Sequence, residues 1–302
     1  MTPILITPKT YTQDSIETNR IFPLFDNAIE VLLQAIHNNT YSDKIMLVDD
    51  SVTIVNPEYK SQMFTEFKTK FQSHIEQSQR NKIVGLAKFL RVDIIQGCTQ
   101  YIDNLYIKLG KDNIQVMERE YTYHYKLNPN LIGKKLGELD PNKSLIISSP
   151  FITGSQHNDF DLILNECSDK NIDVHVDAAW VSAAKNINLD LNHTCIKSIG
   201  FSMSKGYGLS GWNRIGLRYT IDNTTDSICI MNEYSQVPTV NVQLGNYMLD
   251  NLKPDHLWDT HEKNYIKVCN DFDLIQTDTI HVGLSNGYIH GIAPLLRYLE
   301  KE

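Results

Sequence analysis

The chain has 302 residues, 41% of them hydrophobic and 21% charged, enough for one large core or a large and a small one. A formal net charge of −8 without any basic block excludes nucleic acid and anionic membrane as natural partners, and no apolar run approaches membrane-spanning length. The five cysteines are scattered without paired metal spacing and no signal-peptide pattern opens the chain, so free thiols in a reducing, cytoplasmic setting are expected.

Residues 1 to 23 carry no strong period and read as an extended arm. Asp26 is placed to cap a helix whose face is Ile29, Leu32, Leu33 and Ile36. A β-like segment follows from Ile45 to Val55, and after Pro57 a second helix aligns Phe64, Phe67, Phe71 and Ile75 as core or subunit packing. From residue 91 the rhythm becomes strand, glycine turn, helix, strand. Arg91 to Ile95 is a strand, Gln96 to Thr99 a turn, and Gln100 to Leu109 a helix stopped by Gly110. Ile114 to Met117, Ser144 to Ile147, Ile172 to Val176 and Cys195 to Ile199 read as buried strands, with a helix at Phe160 to Cys167. This alternation predicts an α/β fold with a mostly parallel sheet and helices on both faces. Beyond Tyr219 the pattern thins to a helix within Met231 to Tyr247, a strand-like stretch Leu274 to Leu284, and a closing helix Ala293 to Leu299. The expected organisation is an arm and helix over residues 1–55, a large α/β domain over 56–225, and a reduced C-terminal α+β lobe over 226–302.

The stretch Phe201 to Gly216 sets Lys205 among Ser202, Ser204 and glycines, with Arg214 further on. A lysine that attacks a carbonyl needs a crowded, partly desolvated seat. Hydroxyls, glycines and a guanidinium together suit a phosphate, and a lysine beside a phosphate cradle suits pyridoxal phosphate held as a Schiff base. Ser-x-Ser-Lys followed by a glycine-rich run to Arg-x-Gly resembles the cofactor-lysine motif of class I/II aminotransferases, the fold-type I pyridoxal-phosphate enzymes of the aspartate aminotransferase superfamily.

That resemblance, over roughly residues 55 to 220, implies roles for further residues. The Gly97-Cys98-Thr99 turn, at a strand-to-helix junction, corresponds to the family's phosphate turn, with Ser202 and Arg214 completing it. In His175-Val176-Asp177-Ala178-Ala179-Trp180, Asp177 would meet the ring nitrogen, Ala179 would lie against the ring, and Trp180 takes the place of a tyrosine. Tyr121 would stack on the ring face, with Tyr123 as the alternative. Tyr59 would reach the phosphate across a homodimer interface. The implied activity is transamination between a small-molecule amino donor and a keto acceptor through a Lys205 internal aldimine, with Asp177 and Tyr121 assisting.

The chain also departs from the pattern. Ser149-Pro150-Phe151-Ile152-Thr153-Gly154 has phenylalanine where the family supplies an asparagine, and Arg214 lies one position further from the lysine. On the strand-like stretch Thr279 to Leu284, His281 stands where relatives clamp a substrate carboxylate with arginine, unless another residue such as Arg20 reaches in. Two rival readings follow. The His-Val-Asp-Ala-Ala-aromatic run also resembles group II amino-acid decarboxylases, which place histidine before the lysine where this chain has Ser204. The other rival is a degenerate cofactor-binding protein that catalyses nothing.

Overall fold

Alternating side chains along short strands build the centre of the molecule. The computed structural model describes residues 11–17, 21–37, 57–222 and 225–300. The expected strand at Ile45 to Val55, the Tyr59 side chain and Arg20 lie outside the described residues.

In chain order come α1 (Asn27–His37), α2 (Pro57–Gln77), β1 (Lys82–Val84), β2 (Arg91–Ile95), α3 (Cys98–Leu109), β3 (Ile114–Val116) and α4 (Thr122–Leu127). They are followed by β4 (Ser144–Ser148), α5 (Phe160–Asp169), β5 (Val174–Ala178), β6 (Asn188–Asp190), β7 (Ile196–Ser202) and β8 (Gly216–Thr220). The C-terminal part holds α6 (Ser227–Glu233), α7 (Thr239–Asn251), α8 (His256–Asp271), β9 (Ile275–Gln276), β10 (Val282–Ser285), β11 (Tyr288–Gly291) and α9 (Ala293–Glu300).

The main sheet has six strands in the order β2-β8-β7-β5-β4-β3. β3, β4, β5 and β7 pair in parallel, whereas β8 runs antiparallel to both β7 and β2. The sequence reading contains no β8, because Gly216 to Thr220 follows directly on the motif and carries Arg218 in its middle. β9, β10 and β11 form a separate three-stranded sheet in the order β11-β10-β9, and β1 pairs with β6 in parallel. The long α8 also escapes the sequence reading, since its buried stripe mixes Leu257 and Trp258 with His261 and Tyr265.

Both sheet faces are covered, and residues two apart share a face. Val174, Val176 and Ala178 of β5, with Phe201 of β7, enter the larger cluster together with Phe67 and Phe71 of α2. Ile95 of β2, Val116 of β3 and Ile146 of β4 instead meet Tyr101, Ile102 and Leu105 of α3. The α3 face carries the polar exceptions. The Tyr101 hydroxyl and the Ser198 hydroxyl bond at 2.6 Å, and Ser198 Oγ meets His175 Nδ1 at 2.7 Å. At Gly200 a Cβ would come within 2.5 Å of the Tyr101 ring, so the glycine is what lets α3 sit so close. The capping and core readings for the first two helices hold: Asp26 Oδ1 accepts from Ile29 N at 2.8 Å, and Phe64, Phe67, Phe71 and Ile75 are buried.

Arg218, on the same face, is 2% exposed and donates to Asp226 Oδ2 at 2.7 Å, to Asn104 Oδ1 at 3.1 Å and to Asp93 Oδ2. It ties β8 to β2, α3 and the start of α6. Removing one member of a buried ion pair leaves the others desolvated and uncompensated. Arg218→Leu is therefore expected to cost about 3–5 kcal/mol in urea unfolding, with Asp93→Asn restoring part of the loss. A loss below about 1 kcal/mol would show that Asp93 is not held by this pair.

Candidate active site

The parallel strands point their carboxyl ends at one cavity of about 730 Å³. Because β8 is antiparallel, the loop just before it, with Arg214, opens at that same end. The cavity wall includes Cys98, Thr99, Tyr121, Asp177, Ala179, Trp180, Ser202, Ser204, Lys205 and Arg214. Residues from β2, β3, β5, β7 and the β7–β8 loop thus converge, as expected for a ligand site in an open parallel sheet.

The turn after β2 forms a cradle for an anion. Gly97 has φ +79°, in the region that glycine adopts freely, and a Cβ there would sit 3.2 Å from Ser202 Oγ and 3.3 Å from Arg214 Nη2. Arg214 Nη2 donates to Thr99 Oγ1 at 2.7 Å, while the buried Arg214 Nε has no partner among the described residues. Ser202 Oγ and Ser204 Oγ lie 2.9 Å apart. The first turn of α3 begins immediately behind; its Gln100 N–H donates to Gly97 O at 3.1 Å, and the amides ahead of it at the helix start face the cradle end. An orphaned guanidinium N–H, hydroxyls, free backbone amides and a space that a methyl group would fill fit a phosphate.

Asp177 closes β5 on the α3 face. Burial pushes its carboxyl up to about 6; the Cys98 thiol and the Ala179 N–H (3.0 Å from Oδ1) pull the other way, while Glu120 adds to the rise and Lys205 opposes it. Burial also drives the Cys98 thiol well up, with Asp177 adding to it, so the thiol stays protonated and donates. Lys205 is lowered by burial first and by Arg214 second, against Asp177, and its Nζ lies 4.2 Å from the centroid of the Trp180 ring. The turn that carries Lys205 is drawn in tightly. A Cβ on Gly206 would be 2.3 Å from the Ser182 carbonyl oxygen, and the Gly206 N–H donates to Ser182 Oγ. The buried carboxylate, the depressed amine and the cradle fit pyridoxal phosphate as a group.

Tyr121 is 50% exposed on the wall, whereas Tyr123 donates to Asp103 Oδ1 at 2.6 Å and is not part of the wall. His281 is placed differently from the sequence expectation. It is completely buried, edge-on to Trp180 at 5.7 Å, and outside the cavity wall. Burial lowers it to about 3, so the ring is neutral and gives an anion no charge. Two charged wall residues went unread in the sequence, Arg119 and Glu120. Glu120 is buried and accepts from Ser148 N at 2.7 Å and Ser148 Oγ at 2.6 Å. The only signal for them was a charged triplet just past an apolar strand, which resembles any solvated turn.

No protein-family profile and no curated protein sequence matches the chain. Solved structures do. A pyridoxal-phosphate-bound C-S lyase from Staphylococcus hominis aligns at TM-score 0.60 and 10% identity, over 96% of this chain and 89% of that one. A Thermus thermophilus aspartate aminotransferase mutant complexed with tryptophan aligns at 0.56 and 11%, over 94% and 88%. An alanine aminotransferase from Pyrococcus furiosus aligns at 0.54 and 12%, over 93% and 92%. At such identities the likeness speaks for architecture, and the chain has the type I fold of pyridoxal-phosphate-dependent enzymes.

Proposed function

We propose that the protein is a pyridoxal-phosphate-dependent aminotransferase that acts on an amino acid or related amine at Lys205. The observation that carries this reading is the meeting of Lys205, the buried Asp177, Thr99 and Arg214 in one cavity, with Gly97 against Ser202 and Arg214. Bound pyridoxal phosphate supplies an electron-withdrawing pyridinium ring that accepts the electron pair left at a substrate carbon. The chain's residues do the rest. Gly97, Thr99, Ser202 and Arg214 bind the phosphate, and Asp177 holds a proton at the ring nitrogen. Ala179 and Tyr121 flank the ring. Lys205, with its affinity for protons weakened by burial and Arg214, holds the aldehyde and, once displaced by substrate amine, moves a proton as base and then acid. A homodimer is part of this reading.

A lyase is the second reading, favoured by the likeness to the Staphylococcus hominis enzyme. Product analysis separates the two: transamination yields a keto acid and leaves an aminated cofactor, whereas a lyase releases a fragment of the substrate and regenerates its cofactor without an acceptor.

The first test is the visible spectrum of the purified protein supplied with pyridoxal phosphate. The wild type should show the coloured band of lysine-bound cofactor, and particular amino donors should bleach it. Lys205→Ala should lose both the band and turnover, and an active Lys205→Ala enzyme would rule the mechanism out.

Asp177 gives a second test, in cofactor-free protein. Its folded-state carboxyl, at about 6 against an ordinary 3.8, keeps a proton that the unfolded chain has already released. Stability from this group therefore falls as pH rises from about 4 to about 6, and stays low above. Asp177→Asn, which never ionises, should be roughly 2–3 kcal/mol more stable than wild type at pH 8. The gain should vanish near pH 4, while turnover with cofactor falls by about a hundredfold or more. Equal stability at both pH values would mean that Asp177 is solvated.

A further inference from the structure

The cavity wall holds one charge that the proposed chemistry leaves unused. Arg119 lies in the turn after β3, exposed on the wall two residues before Tyr121. Its backbone is left-handed with φ +66°, one of six such non-glycine positions among the described residues. We propose that Arg119 is the anion anchor for the substrate, and that this substrate is an amine bearing a carboxylate on an apolar body. The proposal rests on the reading of Lys205 as the reacting amine.

The wall has three cations, and the other two are engaged. Arg214 is committed to Thr99 and the cradle, and Lys205 lies over Trp180. Arg119 has no carboxylate within ion-pair reach among the described residues. The wall's carboxylates cannot serve it. Asp177 is buried at the strand end facing Cys98, and the Glu120 oxygens are taken by Ser148 N, Ser148 Oγ and the Tyr121 N–H, with His157 Nε2 at 3.4 Å. An unpaired guanidinium in a partly apolar cavity presents a planar fork that a carboxylate fills with two bonds. The rest of the wall sets the body of the substrate: Phe22, Phe151, Ile152 and Ile289 offer carbon rather than hydrogen bonds. A volume of about 730 Å³ accommodates a cofactor together with a medium-sized amino acid. His281, neutral and outside the wall, offers no competing charge.

The test is isothermal titration of the full chain, both cofactor-free and loaded, with 3-phenylpropionate and with its neutral counterpart 3-phenylpropanol. Wild type should prefer the carboxylate. Arg119→Met should lose about ten- to a hundredfold of that affinity and bind acid and alcohol alike, with Arg119→Lys recovering part. In loaded protein, phenylalanine should bleach the band at lower concentration than phenethylamine in wild type, and that preference should disappear in Arg119→Met. The exposed position of Arg119 leaves the fold intact, which unfolding curves of the variants check. Equal carboxylate affinity in wild type and Arg119→Met in both states overturns the assignment, as does a wild type without preference for the acid. Absence of the coloured band is a separate failure, of the Lys205 reading itself, and the cofactor-free titration distinguishes it.

Discussion

A carboxylate buried at the end of an apolar strand governs the site. Asp177 lies between donors that favour its ionised form, Cys98 and Ala179 N–H, and a burial that favours the neutral form more strongly. Left to itself, the site is frustrated at neutral pH. A cation at hydrogen-bond distance would resolve the conflict, since an opposite charge offsets desolvation. The same low-polarity setting depresses Lys205, so one feature of the fold perturbs both the carboxyl and the amine. Neither effect would survive on an exposed loop.

The pleat makes this arrangement possible. Because strand residues alternate, His175 and Asp177 on β5 face α3 together with Ser198, Gly200 and Ser202 on β7. Each takes a distinct task along that stripe. Ser198 satisfies Tyr101 and His175 deep in the face, Gly200 gives the Tyr101 ring room, and Ser202 reaches the cradle. β8 contributes twice. Its antiparallel direction delivers Arg214 to the cavity end, and its Arg218 anchors the opposite part of the face to Asp93 and Asp226. The cradle guanidinium and the structural one are four residues apart on one strand and its lead-in.

What was legible in the sequence was local. Lys205, Asp177, Ser202 and the Gly97–Thr99 turn each stand at the end of a short apolar run, where chain order already implies the carboxyl edge of a sheet. Helix α1 was visible through its Asp26 cap, and α2 through its phenylalanine stripe. The unread parts depend on non-local facts. Gly216 to Thr220 becomes a strand because β2 and β7 leave a gap between them, and its buried arginine, neutralised from two other elements, disguises it. Glu120 is buried because Ser148 on β4 supplies two of its donors, with the Tyr121 N–H a third. His281, read as a carboxylate partner, immediately precedes β10 of the small sheet, and its ring packs edge-on to Trp180 outside the cavity wall.

The two ends of the described chain finish the cavity. Ile21, Phe22 and Pro23 form part of its wall, opposite the sheet, together with Ile289 of β11. That segment is not held by the large sheet. Glu17 pairs with Gly291 of β11, and Asp26 accepts from His256 at 2.6 Å and from His261 at 3.1 Å. The Asn27 N–H donates to Glu300 of α9. Asp26 is held well below the usual carboxylate range despite its burial, because both imidazoles and the Ile29 N–H stabilise its charge. The Ile21–Pro23 and Ile289 part of the wall is thus fastened to α8, α9 and β11, while Phe151 and Ile152 follow β4 and Asp177 and Ser202 stand on β5 and β7. Both sheets therefore contribute to one cavity wall, and its shape depends on the N-terminal segment being tied to the C-terminal elements.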